Sequence, residues 1–388
     1  MEGQGPQRHE AAPEETSAAP AGSRQDGSAP AGLSHRAERR AKERKSRASA
    51  LIGAVLITLI SVVFICSFMG ALHKPGPRSV PLGIVGTSSQ ASTLSAALGH
   101  QAPGGFTVAS YPTQAAASSA ITGRSIDAAL VPGLRIQRLL VATAAGSAVT
   151  DATIKDVHAA VHSAGAFLAV QNIHPLPAND PEGISQVFFV VALLAPSLVF
   201  GNLLMTRVGA GLHPLEHLAA IVLYAVIVGA VATVFSDAVV GALVGAPWGL
   251  FGIGTLLAFA AAVMAAAVTR WAGGIGYLVL FLLFIPVGIA SSGTTLGPNM
   301  IISWYADLGK ALPPGSALPA VQNTVYFNGN AITVPLLVLS AWALVGAIAL
   351  ALVAILHPPI PGQRKQSPGQ AAGPAANSTP ASSSPASA

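Results

Sequence analysis

The chain is 388 residues long, 52% hydrophobic and 9% charged, with a mean hydropathy of +0.60, whereas soluble domains carry about 25% charged residues. The formal net charge is +5, and a large share of the Lys and Arg lies before Leu51, which reads as one basic tail rather than a basic protein surface and argues against nucleic-acid binding. The only cysteine, Cys66, lies in an apolar run, so neither an intramolecular disulfide nor a thiolate zinc site is available.

Residues 1–50 combine Pro, Gly, Ser, Ala and charge with almost no large apolar side chains, and they read as a disordered tail that cannot bury enough surface to offset chain entropy. Near its end the charge concentrates into Arg36, Arg39, Arg40, Lys42, Arg44, Lys45 and Arg47, interrupted only by Glu38 and Glu43. Leu51 to Leu72 follows as an uncharged, mostly apolar stretch, about the twenty residues that a 30 Å hydrocarbon layer requires. Positive charge beside a first span keeps that end cytoplasmic. A cleaved signal peptide has the same order of basic and apolar regions, but its apolar core is shorter and its basic region is not of this length.

Residues 73–186 read as a folded outer domain, because their apolar clusters are short and separated by turn residues. Strands are expected at Val80–Val85, Phe106–Tyr111, Ile126–Val131 and Phe167–Val170, with a further apolar run at Leu139–Thr143. Helices are expected at Ser88–Leu98, Thr113–Ile121 and Asp151–His162, the last capped by Thr150 or Asp151. Alternating strands and helices indicate a small α/β sheet domain.

Five further apolar blocks occupy 187–205, 215–235, 248–268, 275–289 and 334–356, giving six spans with the first. The fifth of these six is the shortest, and Val239 to Ala246 is apolar enough to dip into the membrane, so counts of five or seven stay open. With the N-terminus inside, Arg207, Arg270 and the pair Arg364 and Lys365 all fall on the cytoplasmic side, as Lys and Arg beside spans favour. Residues 73–186 and Ser291 to Thr333 then face outward, the latter carrying the boundary aromatics Trp304, Tyr305, Tyr326 and Phe327. Residues 358–388 read as a second disordered cytoplasmic tail. The expected fold is therefore an α-helical polytopic membrane protein of about six transmembrane helices, with a small α/β extracytoplasmic domain inserted between helices 1 and 2. It would sit in the cell (inner or plasma) membrane with both termini cytoplasmic.

No constellation for chemistry emerges. The Gly309-Lys310 pair is followed by Ala311 and lacks the earlier glycine of a phosphate-binding loop, and neither a Gly-x-Ser-x-Gly elbow nor His-Glu-x-x-His occurs. His158 and His162 are four apart on an expected helix, with His174 as a distant third ligand, but no carboxylate joins them, and they read as surface histidines. No catalytic residue, metal or cofactor is expected, and the chain does not read as an enzyme. Ion-coupled transport needs ionisable groups within spans, yet Glu216 and Asp237 lie only at the two ends of the third span, and Pro196 and Pro286 read as tolerated kinks. Glycines at 241, 245, 249, 252, 254, 273, 274 and 276 suit close helix packing.

This order of parts resembles the membrane subunits of ABC-2 type exporters, and among them the YhgE/Pip (phage-infection-protein-like) branch. Val80-Pro-Leu-Gly-Ile-Val85 is similar to the family's first outer strand, and Ile126-Asp-Ala-Ala-Leu-Val-Pro132 to its later strand ending in proline. Asn179-Asp-Pro-Glu-Gly183 is similar to the lead-in to its second span. Leu312-Pro-Pro-Gly-Ser316 through Val321-Gln-Asn-Thr-Val-Tyr-Phe327 is similar to its final outer loop. The resemblance implies a homodimeric permease in the lipid bilayer, driven by a separate cytoplasmic ATP-binding subunit and moving a hydrophobic, lipid-like or peptide cargo outward. It would place ATPase contacts on the inner loops, at Arg207, His213 and Glu216 with Arg270 in the second loop; plain topology and interface chemistry is the simpler reading of these residues. The charged N-terminal tail and the compact outer domain depart from the family. The alternative is a membrane-anchored receptor or envelope scaffold whose outer domain binds a partner.

Overall fold

A computed structural model describes residues 31–209 and 212–356, with side chains from Lys42 onward apart from Ala354. The expected disorder of residues 1–30 and 358–388, the side chains of Arg36, Arg39 and Arg40, and the tail pair Arg364 and Lys365 lie outside the described residues. The chain divides into two units, 1–59 and 60–388.

Helix α1 runs unbroken from Ala31 to Leu72. The helix therefore begins ahead of the apolar stretch, which corrects the expectation of disorder for residues 31–50. That segment is rich in Ala, Arg, Glu and Lys, which are strong helix formers, and it places Glu43 four residues before Arg47, a stabilising spacing.

Among the described residues, five helices are long and apolar enough to cross a membrane: Lys42–Leu72, Ser185–Val208, Pro214–Val239, Pro247–Ser291 and Thr333–Val353. Their outward surfaces carry large apolar side chains such as Val55, Ile65, Val231, Leu337 and Leu344. A soluble monomer rarely exposes contiguous apolar area on this scale; a bilayer solvates it. The chain is a multi-pass membrane protein.

Between α1 and the next long helix lies a five-stranded sheet in the order β2-β1-β3-β4-β5, with β1 at Val80–Val85, β2 at Phe106–Tyr111, β3 at Ala128–Val131, β4 at Ile136–Val141 and β5 at Phe167–Asn172. Only β3 and β4 pair antiparallel. Helices α2 (Ser88–Gln101), α3 (Gln114–Thr122) and α4 (Ser147–Ser163) cross between strands. Because side chains alternate across a strand, Leu82, Ile84, Leu130, Leu139 and Val141 face α2 and α4, where Leu94, Leu98 and Val157 complete a core. Ala129 and Leu140 face the other side, against Ile121 of α3. Helix α4 starts a turn earlier than expected: its N-cap is Gly146, with φ 146°, while Thr150 donates its hydroxyl to the Ala142 carbonyl at 3.3 Å and caps nothing.

The long helices are α5 (Ser185–Leu203), α6 (Pro214–Val234), α7 (Pro247–Leu282) and α11 (Thr333–Leu356); α5, α6 and α7 each continue into a π-helical turn. Helix α5 lies against α7 so closely that a Cβ on Gly201 would collide with the Ala262 carbonyl. The stretch Pro247–Ser291 spans 45 residues. As a straight helix it would run about 67 Å, twice the ~30 Å of hydrocarbon, but Gly273 breaks it with φ 61° and ψ −152°. On the first limb, Val263 and Met264 pack on Gly346, and the Trp271 indole N–H donates to the Ala349 carbonyl at 3.0 Å. On the second limb, Phe284 returns to Trp342, with ring centroids 5.0 Å apart. The second limb thus runs back along α11 past the first. Gly241 and Gly245, expected on a helix-packing face, instead have φ 67° and 99° in the turn after α6.

The segment before α11 is not a bare loop. It holds the short helices α8 (Gly288–Ser291), α9 (Ser303–Lys310) and α10 (Pro313–Tyr326). Pro313 and Pro314 open α10 at the positions where a missing N–H is harmless, and most of α10 is buried against α5 and α7.

Candidate functional site

Two places gather polar groups at opposite ends of the long helices. At one end, α5 and the first limb of α7 are joined by the Thr269 hydroxyl donating to the Asn202 side chain at 3.1 Å, and Leu204, Ile221, Ala266 and Leu350 share one cluster there. Arg207, His213, Glu216 and Arg270 all lie exposed at this end. Two of them are occupied locally. The His213 N–H donates to Glu216 Oε2 at 2.6 Å, and the His213 ring accepts from the Leu215 N–H at 3.4 Å, a capping arrangement at the start of α6. His217 adds a contact to the Gly209 carbonyl at 3.0 Å. Arg207 and Arg270 have no ion-pair partner among the described residues.

At the other end the sheet domain is fastened to the segment between α8 and α11. The Arg78 guanidinium donates to the Ile301 carbonyl at 2.9 Å, the Arg78 N–H to the Asn299 carbonyl at 2.9 Å, and the Asn330 amide to the Thr122 carbonyl at 3.1 Å. Phe327 is fully buried in the core on the α3 side of the sheet. Its ring lies 4.6 Å below the Arg124 guanidinium and 4.8 Å from the His174 ring, and His174 meets the Thr122 hydroxyl at 2.9 Å.

Arg124 holds φ 63°, uncommon for a side-chain-bearing residue. Its Nη1 donates to Asp127 Oδ1 at 3.4 Å, and Asp127 also accepts from the Asn299 amide at 3.5 Å. Burial pushes the Arg124 guanidinium down from its usual range and the Asp127 carboxyl up, and the attraction between the two opposes both shifts. Burial, with the Arg124 charge adding to it, also holds the His174 imidazole below its usual value against an opposing backbone hydrogen bond. Next to Arg124 opens a cavity of about 280 Å3, bordered by Gln186 of α5, the turn at Ser292–Gly297, Lys310, α10 and the start of α11.

Asn179-Asp-Pro-Glu-Gly183 acts at this same end. The buried Asp180 carboxylate accepts from the Ile184 and Ser185 N–H groups, each at 3.0 Å, and so caps α5. The Asn179 amide donates to the carbonyls of Val240 and Gly241, each at 3.3 Å.

His158 and His162 stack on α4 with centroids 6.0 Å apart. Among the described residues no three His, Cys, Asp or Glu side chains gather as metal ligands. Arg124, Asp127 and Gln186 are the residues that sequence reasoning missed; the one local signal was a charged pair at 124 and 127 beside a proline-ended strand. No family model, curated protein or solved structure matches the chain.

Proposed function

We propose that the chain is the six-span permease subunit of an ABC-2 type exporter in the plasma (inner) membrane, a homodimer energised by a separate ATP-binding subunit. Its sheet domain faces outward and both termini lie in the cytoplasm. The observation that carries this reading is the separation of polar groups to two ends of one helix bundle: a folded domain at one end, and at the other Arg207 and Arg270, exposed and without an ion-pair partner among the described residues. The reversal at Gly273 supports a count of six, since each limb of Pro247–Ser291 then crosses once. The cargo is hydrophobic, lipid-like or a peptide, and the energy enters from the partner ATPase through the inner loops.

Purification of the full chain from its native membrane in mild detergent tests the proposal. An ATPase subunit is expected to accompany the wild type and to be lost from an Arg207→Glu, Arg270→Glu double variant. Absence of any ATPase, together with unchanged export phenotypes in that variant, sinks the permease reading. One observation favours a receptor or scaffold instead: Leu134, Ile136 and Phe167 stand exposed along the β4–β5 side of the sheet, with Ile136 and Phe167 paired in register, as a partner-binding surface would be. Replacing these three by Ser distinguishes the readings, because a receptor loses its partner while a permease keeps its ATPase.

A further inference from the structure

We propose that the cavity beside Arg124 binds an amphiphile by its oxyanion, a carboxylate or phosphate on an apolar body. Two cations, Arg124 and Lys310, line it, and no carboxylate does. Lys310 is exposed and already bonded to Asp307 at 2.7 Å, so Arg124 is the anchoring charge. The guanidinium offers five N–H donors. One reaches Asp127 at 3.4 Å, beyond the normal range for such a bond, and Phe327 covers one face, but the buried Nε has no partner. Gln186, only 6% exposed, also leaves its side-chain oxygen without a partner. Buried polar groups in folded proteins are nearly always satisfied, and a buried cation short of hydrogen bonds is costly; Arg124 and Gln186 both line the cavity, and an oxyanion taken up by the guanidinium N–H groups that face it offsets the cost at Arg124.

The rest of the wall selects the body of the ligand. Leu318, Pro319, Val334 and Pro335 make most of the surface apolar. The volume of about 280 Å3 lies near the lower limit for small-molecule sites, roughly 300 Å3, which suits a headgroup or a short-chain acid rather than a whole two-chain lipid. Gln186 is the second residue of α5 and Val334 the second of α11, so the cavity lies where two long apolar helices begin; on the membrane reading above, this is the level of lipid headgroups.

Native mass spectrometry on the full-length protein in detergent tests this with sodium decanoate, decanol, phosphatidylglycerol, phosphatidylcholine and inorganic phosphate as probes. Decanoate or phosphatidylglycerol is expected to be retained about tenfold better than its uncharged or zwitterionic counterpart, and this preference to fall about tenfold in Arg124→Gln. Retention of phosphatidylglycerol identifies a lipid source and of decanoate alone a soluble one; either supports the site. If Arg124→Gln yields no folded protein, Gln186→Leu, which leaves the charge in place, carries the same expectation of weakened retention. Equal retention of decanoate and decanol, retention unchanged in the folded variants, or binding of inorganic phosphate only overturns the proposal. Both positions are far in the fold from Arg207 and Arg270, so ATPase co-purification is expected to survive these variants, and the site and the exporter reading can fail separately.

Discussion

The ring of Phe327 lies 4.6 Å from the guanidinium carbon of Arg124, and through this contact a residue from the membrane part of the chain becomes core of the sheet domain. Phe327 is 0% exposed and packs with Ile121, Ile126 and Leu140. The α3 side of the sheet is therefore finished by a side chain that follows α10, and the domain and the helices are one packed body across this seam.

Phe327→Ala is expected to destabilise this seam by about 3–5 kcal/mol, the usual cost of emptying a buried aromatic site. Phe327→Leu is expected to cost less. Thermal unfolding of the detergent-solubilised protein, with limited proteolysis across residues 173–184, checks this; an unchanged melting temperature and cleavage pattern in Phe327→Ala would show that the seam contributes little.

His174 sets a pH dependence. Its folded-state affinity for protons is below the unfolded value, which lies near pH 6.5, so the unfolded chain takes up more protons as pH falls through about 6.5. The stability that His174 contributes is thus complete above that pH and declines below it. His174→Gln keeps a partner for Thr122 but cannot titrate, and it is expected to flatten this part of a melting-temperature profile between about pH 7.5 and 5.5.

Asp180→Ala removes the acceptor of two N–H groups at the start of α5. A loss of about 1–2 kcal/mol is expected, seen as a lower melting temperature, with Asp180→Asn recovering part of it. Glu216→Ala, which removes the exposed cap of α6, is expected to cost no more than about 1 kcal/mol.

Gly201→Val is expected to reduce the yield of folded protein, because its Cβ would meet the Ala262 carbonyl and the Ala265 methyl, neither of which can move without shifting α7. Overpacking of this kind costs about 1–3 kcal/mol, read by fluorescence size-exclusion chromatography. Gly252→Ala, where a Cβ meets nothing within 4 Å, is the matched control.

Membrane sidedness is checked with single-cysteine variants in a Cys66→Ala background. Gln137→Cys is expected to react with an impermeant maleimide in intact cells, and Arg270→Cys only after permeabilisation. Equal labelling of both sites in intact cells rejects the arrangement with the sheet domain outside.

What the sequence determined by itself is the part governed by local periodicity and composition. Apolar runs near twenty residues long identify membrane-crossing helices because hydrocarbon cannot hydrate a backbone, and alternating short strands and helices identify an α/β domain. The helical character of residues 31–50 was equally local, but the weight given to Pro, Gly and charge across the whole tail hid the Ala, Glu, Lys and Arg run at its end. Tertiary structure alone decided the rest. Periodicity says that Phe327 is apolar, not that it completes a sheet whose strands end before residue 173; burial is a property of what comes near, and those neighbours are distant in the chain. In the same way the glycines around Gly273 read only as a packing face, and the folded backbone, with φ 61° and ψ −152°, shows that the helix breaks there. The cavity beside Arg124 and Gln186 belongs to this class too, since its walls come from the loop after α3, the start of α5, α10 and the start of α11, which meet only when the helices and the sheet domain pack together.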